Sequence, residues 1–261
     1  MTNWMLFVSS ALTDLLRMLL DAAIFFFMAL YVAPGLEDRL VLTGGYATFV
    51  VLGFLVAALM DSLLKTFYET VASGYWSAQF EFYGAFPMGI PAYLAGSAVF
   101  HLFMAALRFA LVLAVGMTAF GVVLDGSNAG TAALVLLVGT LPAVGLGLAA
   151  ASTFYLLDSR GWNDPISWAV HVLASLLAGV YFPPEILPAG LRLAAMILPH
   201  YHLLRALRLV AVDGAGLEHP VVAGSLAVLA VMAAIFIPAG ALLFRAGMRR
   251  ADRLGQFTRW T

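Results

Sequence analysis

Cysteine is absent from this 261-residue chain, which excludes disulfides and thiolate metal sites and leaves the cellular compartment open. Lysine occurs once, as Lys65, and it follows Leu64, so there is no Gly-Lys pair and no phosphate-binding loop of the P-loop kind. ATP, if it is used, must be hydrolysed on another chain. No His-Glu-x-x-His and no Gly-x-Ser-x-Gly occurs, and the acids inside the apolar runs do not form two facing aspartates, so the signatures of membrane proteases are missing. The expectation is a chain that is not an enzyme and carries no cofactor of its own. Charge is scarce as well: 10% of residues are charged and the net charge is -1, which offers no concentrated basic surface and argues against a nucleic-acid partner. Nor does the start read as a cleaved signal, because Asp14, Arg17 and Asp21 interrupt the first apolar run and no basic stretch precedes it.

What fills the chain instead is apolar residue, 63% of the total. Such a surface cannot be hidden in a soluble core and must be covered by lipid. A bilayer core of about 30 Å needs roughly 20 apolar residues in helix. Six stretches meet or approach that length: Met18 to Gly35, Leu40 to Met60, Ser97 to Leu124, Thr131 to Leu157, Ile166 to Phe182 and Val221 to Phe244. The breaks Gly35 to Arg39, Asp125 to Asn128 and Asp158 to Pro165 are short turns, and none is long enough for a soluble domain, so residues 1–261 form one membrane domain.

Lys and Arg placement sets the expected orientation. With the N-terminus inside, eight basic residues (Arg17, Lys65, Arg160, Arg245, Arg249, Arg250, Arg253, Arg259) face the cytoplasm and four (Arg39, Arg192, Arg205, Arg208) face outward. Both termini are then cytoplasmic, in a multi-pass protein of the cell membrane. Residues 1–17 read either as an interfacial amphipathic helix or as an extension of the first span. Residues 245–261 form a basic tail suited to anionic headgroups and to holding that end inside.

Two regions depart from simple spans. Residues 61–96 mix aromatic, small and acidic side chains, too polar for a span and too apolar for a free loop. The expectation is short helices under the membrane offering an apolar face to a cytoplasmic partner, or else an interfacial aromatic belt. Residues 183–210 follow a membrane helix that stops at Gly179-Val-Tyr-Phe-Pro-Pro-Glu-Ile-Leu-Pro188 and continue as two short helices, the second opening with Pro199-His-Tyr-His-Leu-Leu-Arg-Ala-Leu-Arg208. Irregular backbone at membrane depth persists only where protein or a water-filled cavity satisfies its polar groups, so this break points to a gate.

Inside the spans, Arg108 lies eleven residues after Ser97, roughly 16 Å deep at about 1.5 Å per residue. A charge at that depth must face protein or water, either as a structural pair, with Asp21 one candidate, or as part of a pathway. Gly139, Ala143, Gly147 and Ala151 recur every fourth residue, a small-residue face for close helix approach within the chain or between chains. His200 and His202 stand at a helix start and read as polar interfacial residues or caps rather than metal ligands.

The run Ala178 to Leu193 followed by Leu198 to Arg208, together with six spans and the cytoplasmic segment Glu69 to Ala95 between the second and third, resembles the ABC type-2 permeases, the membrane subunits of ABC exporters of the type V exporter kind. The resemblance implies an all-α integral membrane fold of six transmembrane helices, a coupling helix between the second and third spans, and broken re-entrant helices between the fifth and sixth. It also implies a dimer, with a second permease copy or a paralogue, above two cytoplasmic ABC ATPase subunits that hold ATP and Mg. Glu69, Tyr75, Trp76, Glu81, Phe82 and Pro87 would seat in the ATPase, and Tyr181, Phe182, Pro183, Pro184 and Pro188 would close the path from outside. Family members often carry a Gly-Thr/Ile-Glu pattern with basic residues in the coupling segment, whereas this chain has Ser73-Gly-Tyr-Trp-Ser-Ala-Gln-Phe-Glu81 and no base. Two other readings stay open: a secondary transporter or channel without an ATPase, and a membrane assembly protein that transports nothing.

Overall fold

The computed structural model describes residues 45–77, 79–84, 86–119, 121–157 and 164–255, with Thr13, Leu16, Leu19, Leu20, Asp21, Ala23 and Ile24 of the N-terminal stretch. Most of the expected first span, most of residues 1–17, the turn 158–163 and the last six residues, 256–261, lie outside the described residues.

Among the described residues the fold is helical, without strands. Its elements are α1 (Gly45–Trp76), α2 (Gln79–Gly84), α3 (Gly89–Ala119), α4 (Ala129–Leu156), α5 (Pro165–Leu177), a 3-10 turn (Pro184–Ile186), α6 (Ala189–Ala195), α7 (Pro199–Ala211) and α8 (Pro220–Arg253). Four of these, α1, α3, α4 and α8, are long and apolar enough to cross a membrane, which marks the chain as a membrane protein. α5 has 13 residues, about 20 Å of helix, too short to cross alone.

The central helix is α1. Two-thirds of its apolar window is buried, against 17% for the windows of α3 and α8, which keep most of their apolar surface exposed. The expectation that α1 gives way to short helices after Met60 is not met: the helix runs on for another sixteen residues, to Trp76. The reason is a buried stripe, Leu63, Leu64, Phe67, Tyr68, Val71, Gly74 and Tyr75, at helical spacing. Polar positions on this stretch are satisfied locally, Thr66 Oγ1 donating to the Ser62 carbonyl and Thr70 Oγ1 to the Thr66 carbonyl, each at 2.7 Å. The short α2 then folds back, with the Phe80 ring seated on Gly74.

The small-residue face of α4 is occupied within the chain. A side chain at Gly139 would enter Leu203 of α7, one at Gly147 would meet Phe67 and the Leu63 and Leu64 carbonyls of α1, and Ala143 and Ala151 are fully buried. A tighter contact is made by the residue between them, Gly145, whose position abuts the Phe236–Ile237 backbone of α8 while Gly240 abuts the Gly145 carbonyl. α4 and α8 therefore touch backbone to backbone, in spite of Pro142 and Pro238 within them.

Hydrogen bonds fix which helix ends lie together. Asp125 N–H donates to the Ala211 carbonyl (2.7 Å) and Asn128 Nδ2 to the Gly214 carbonyl (2.6 Å), so the α3–α4 and α7–α8 connections share one end of the bundle. Val123 N–H donates to Thr48 Oγ1 (3.3 Å), which brings the start of α1 to the same end. At the opposite end Arg250 Nη1 donates to the Leu156 carbonyl (3.1 Å), joining the close of α8 to the close of α4. We call these the break end and the arginine end.

Candidate functional site

At the arginine end α5 begins on a side-chain cap: Asp164 Oδ1 accepts from Ser167 N–H at 2.6 Å, and Pro165 takes the first helical position. The helix stops at Leu177, five residues short of the expected Phe182, because the chain turns at Gly179, where φ is +84° and Pro184 packs 2.9 Å from where a side chain would start. Beyond it Val180, Pro183 and Pro184 are buried, Tyr181 and Phe182 are half-buried, and Pro188 caps α6.

This irregular stretch lies against α1. The Val180 carbonyl faces Gly53, eight residues into α1 and roughly 12 Å along it. Tyr46 hydroxyl donates to the Tyr181 carbonyl at 2.9 Å. From α7, the Arg208 guanidinium stacks 3.4 Å over the Phe49 ring and its Nη2 donates to the Phe49 carbonyl at 2.9 Å. Burial lowers the Arg208 pKa and the Glu185 carboxylate pulls it back up; a guanidinium stays charged through such a shift. Burial, with a smaller contribution from the Asp21 carboxylate, pushes the Tyr181 phenol up. Of the expected gate residues Tyr181 is tied to the break end of α1 and Pro184 packs on Gly179, while Tyr46, Phe49 and Gly53, which the sequence did not reveal, receive Tyr181, Arg208 and Val180 there.

A second polar group lies between α1 and α5 toward the arginine end. Asp61 Oδ2 accepts from Lys65 Nζ at 2.7 Å, and Asp61 Oδ1 is 3.4 Å from His171 Nδ1. Lys65, Tyr68, Glu69, Asp164, Ser167, Trp168 and His171 line a cavity of about 130 Å³ beside them. Ser167 Oγ is buried there without a hydrogen-bond partner. Asp61 and Lys65 stand one helical turn apart, a visible pairing, but nothing in the spacing announces His171 as the third member.

The six residues expected to meet a partner separate into two sets. Trp76 and Phe82 are exposed at 48% and 65%, and Phe86 and Met88 nearby in the chain are exposed as well, so the arginine end carries several open apolar side chains. Phe82 stacks edge-on against Phe86 with ring centres 5.3 Å apart, and Pro87 and Glu69 are also exposed. Tyr75, in contrast, is buried with its ring 5.3 Å from Phe154 of α4; it packs the bundle and offers no surface for docking. The Glu81 side chain lies outside the described residues. Arg108 is half-buried on α3. His200 is buried on α7, and His202 Nε2 donates to the Met196 carbonyl at 2.9 Å.

Comparison of the chain with known protein families and with curated proteins finds no match.

Proposed function

We propose that this chain is the membrane-spanning permease subunit of an ATP-driven ABC exporter, forming a translocation path as a dimer and coupled to separate cytoplasmic ATPase subunits. The observation that carries the reading is the continuity of α1: one unbroken helix of 32 residues runs from the pinned break, at Tyr46 and Phe49, to the exposed Trp76. A partner that grips the arginine end and changes shape on ATP binding moves a rigid lever whose other end holds the break shut. The partner supplies the energy, because only its contacts differ between the ATP-bound and ATP-free states. Tyr181 and Phe182 plug the path, and Pro183, Pro184 and Pro188 keep the backbone from closing into a helix that would seal it.

The test is affinity purification of the tagged chain from its native membrane with identification of what co-purifies. An ATPase is expected, and Trp76→Ala with Phe82→Ala should weaken its association at least about tenfold while insertion is unchanged. Retention of the ATPase at the wild-type level would show that Trp76 and Phe82 meet only lipid headgroups. The charged group Asp61, Lys65 and His171 favours a second reading, a transporter driven by an ion gradient. In that case no ATPase co-purifies, and transport in proteoliposomes follows an imposed gradient and is lost in Asp61→Asn.

A further inference from the structure

The last two turns of α8 concentrate basic charge, three arginines against the single acid Asp252. Arg249, Arg250 and Arg253, with Ala246 and Leu254, line a single open hollow of about 590 Å³. None of the described acids lines it, and neither Arg249 nor Arg253 forms an ion pair or hydrogen bond with another residue. Arg250 is held by its bond to the Leu156 carbonyl, so one wall of the hollow is anchored to the end of α4.

Depth decides what meets these groups. The apolar run of α8 ends at Phe244, so Arg249 stands roughly 8 Å and Arg253 roughly 14 Å further along the axis. The interfacial layer on each side of a bilayer is about 5–8 Å thick, which puts Arg249 at headgroup level and Arg253 at its water side. Guanidinium forks match phosphate oxygens in pairs, and the apolar Ala246, roughly 3 Å past Phe244, suits a glycerol backbone and the start of an acyl chain. Among the described residues no carboxylate lines the hollow, so its lining there favours an anionic headgroup over an ammonium-bearing one. Arginines at a helix C-terminus also favour its dipole and fix orientation, but neither role requires three of them to share one hollow.

We propose that this hollow binds the phosphate headgroup of an anionic glycerophospholipid. The test is native mass spectrometry of the purified full chain titrated with phosphatidylglycerol or phosphatidylcholine, reading the lipids retained. Phosphatidylglycerol should be retained at least about tenfold more tightly than phosphatidylcholine, a preference lost in Arg249→Gln with Arg253→Gln. Arg249→Lys with Arg253→Lys keeps the charge and therefore the orientation, and should lose a few-fold by removing the paired contacts. Equal retention of the two lipids, or undiminished phosphatidylglycerol retention in the glutamine variant, overturns the proposal. Full displacement of phosphatidylglycerol by millimolar inorganic phosphate would overturn the assignment to lipid and identify a free-phosphate site.

Discussion

The α4–α8 seam and the joint between α1 and the break are both close helix contacts, yet they are built from opposite materials. At the seam no side chain stands between the backbones at Gly145 and Gly240, so nothing there can rotate out of the way. At the joint, apart from one tight approach at Gly53, the contacts are an arginine on a phenylalanine ring and two hydrogen bonds. A hydrogen bond is worth about 1 kcal/mol net and a desolvated cation–π contact about 2, so side-chain rotation releases the joint at modest cost. Backbone contact sets a frame, and polar contact makes a place that can open.

The comparison breaks first at the seam, where the largest effect is expected. Gly240→Val would drive a branched side chain into the Gly145 carbonyl. With backbone on both sides the helices must separate, at a cost above about 3 kcal/mol. The variant should insert but unfold well below wild type in detergent. An unchanged Tm would mean that α4 and α8 slide freely and are no frame.

Acid should act on α7, the helix that sends Arg208 into the joint. His200 is buried on it with Nδ1 unpartnered, and burial, aided by the His171 charge on α5 beside Asp61, pushes its pKa down to about 4. The unfolded chain binds this proton near 6.5 and the folded one only near 4. Stability is therefore complete above pH 6.5 and falls as pH drops from there toward 4, by on the order of 1 kcal/mol at pH 5.5 and a few kcal/mol at pH 4. His200→Gln should flatten that limb of a Tm-against-pH curve, and a limb that persists belongs to another group.

Arg208 separates opening from unfolding. Arg208→Met keeps apolar volume and removes both the ring contact and the bond to the Phe49 carbonyl, loosening the joint by about 3 kcal/mol. A cysteine placed at Phe182 should then react with a soluble thiol reagent about tenfold faster or more, with little change in Tm. Faster labelling accompanied by a fall in Tm as large as that of Gly240→Val would make the joint a structural seam like the other.

The long helices could be read from the apolar runs because a membrane helix advertises itself by length alone, and the small-residue face of α4 because its four-residue period needs no partner to be visible. The helical continuity of residues 61–76 is hidden in the sequence for a definite reason. Asp61, Lys65 and Glu69 lowered the mean hydropathy, and the stripe from Leu63 to Tyr75 that keeps them helical shows only when burial is judged by face. The apolar Val180, Tyr181 and Phe182 extend the hydropathy run past the end of α5, whereas the backbone angle at Gly179 ends the helix before them. Arg208 on Phe49 and His171 beside Asp61 join residues more than a hundred positions apart. No spacing rule in a single sequence reaches that far.

The smallest effect has the opposite sign and lies in the break itself. Gly190 sits exposed in α6, a helix of 7 residues, with nothing within 4 Å of where a side chain would begin. Gly190→Ala removes backbone freedom from the unfolded chain and should stabilise α6 by about 0.5–1 kcal/mol. Gly179→Ala, eleven residues earlier, should cost about 1–2 kcal/mol for the left-handed backbone, plus whatever Pro184 must yield. If the joint opens by releasing its contacts to α1, Gly190→Ala raises Tm slightly and leaves the labelling rate at Phe182→Cys unchanged, while Gly179→Ala lowers Tm and speeds labelling. Slower labelling in Gly190→Ala would mean that α6 unwinds when the break opens, and the moving part would then extend from the joint through the whole stretch to α7.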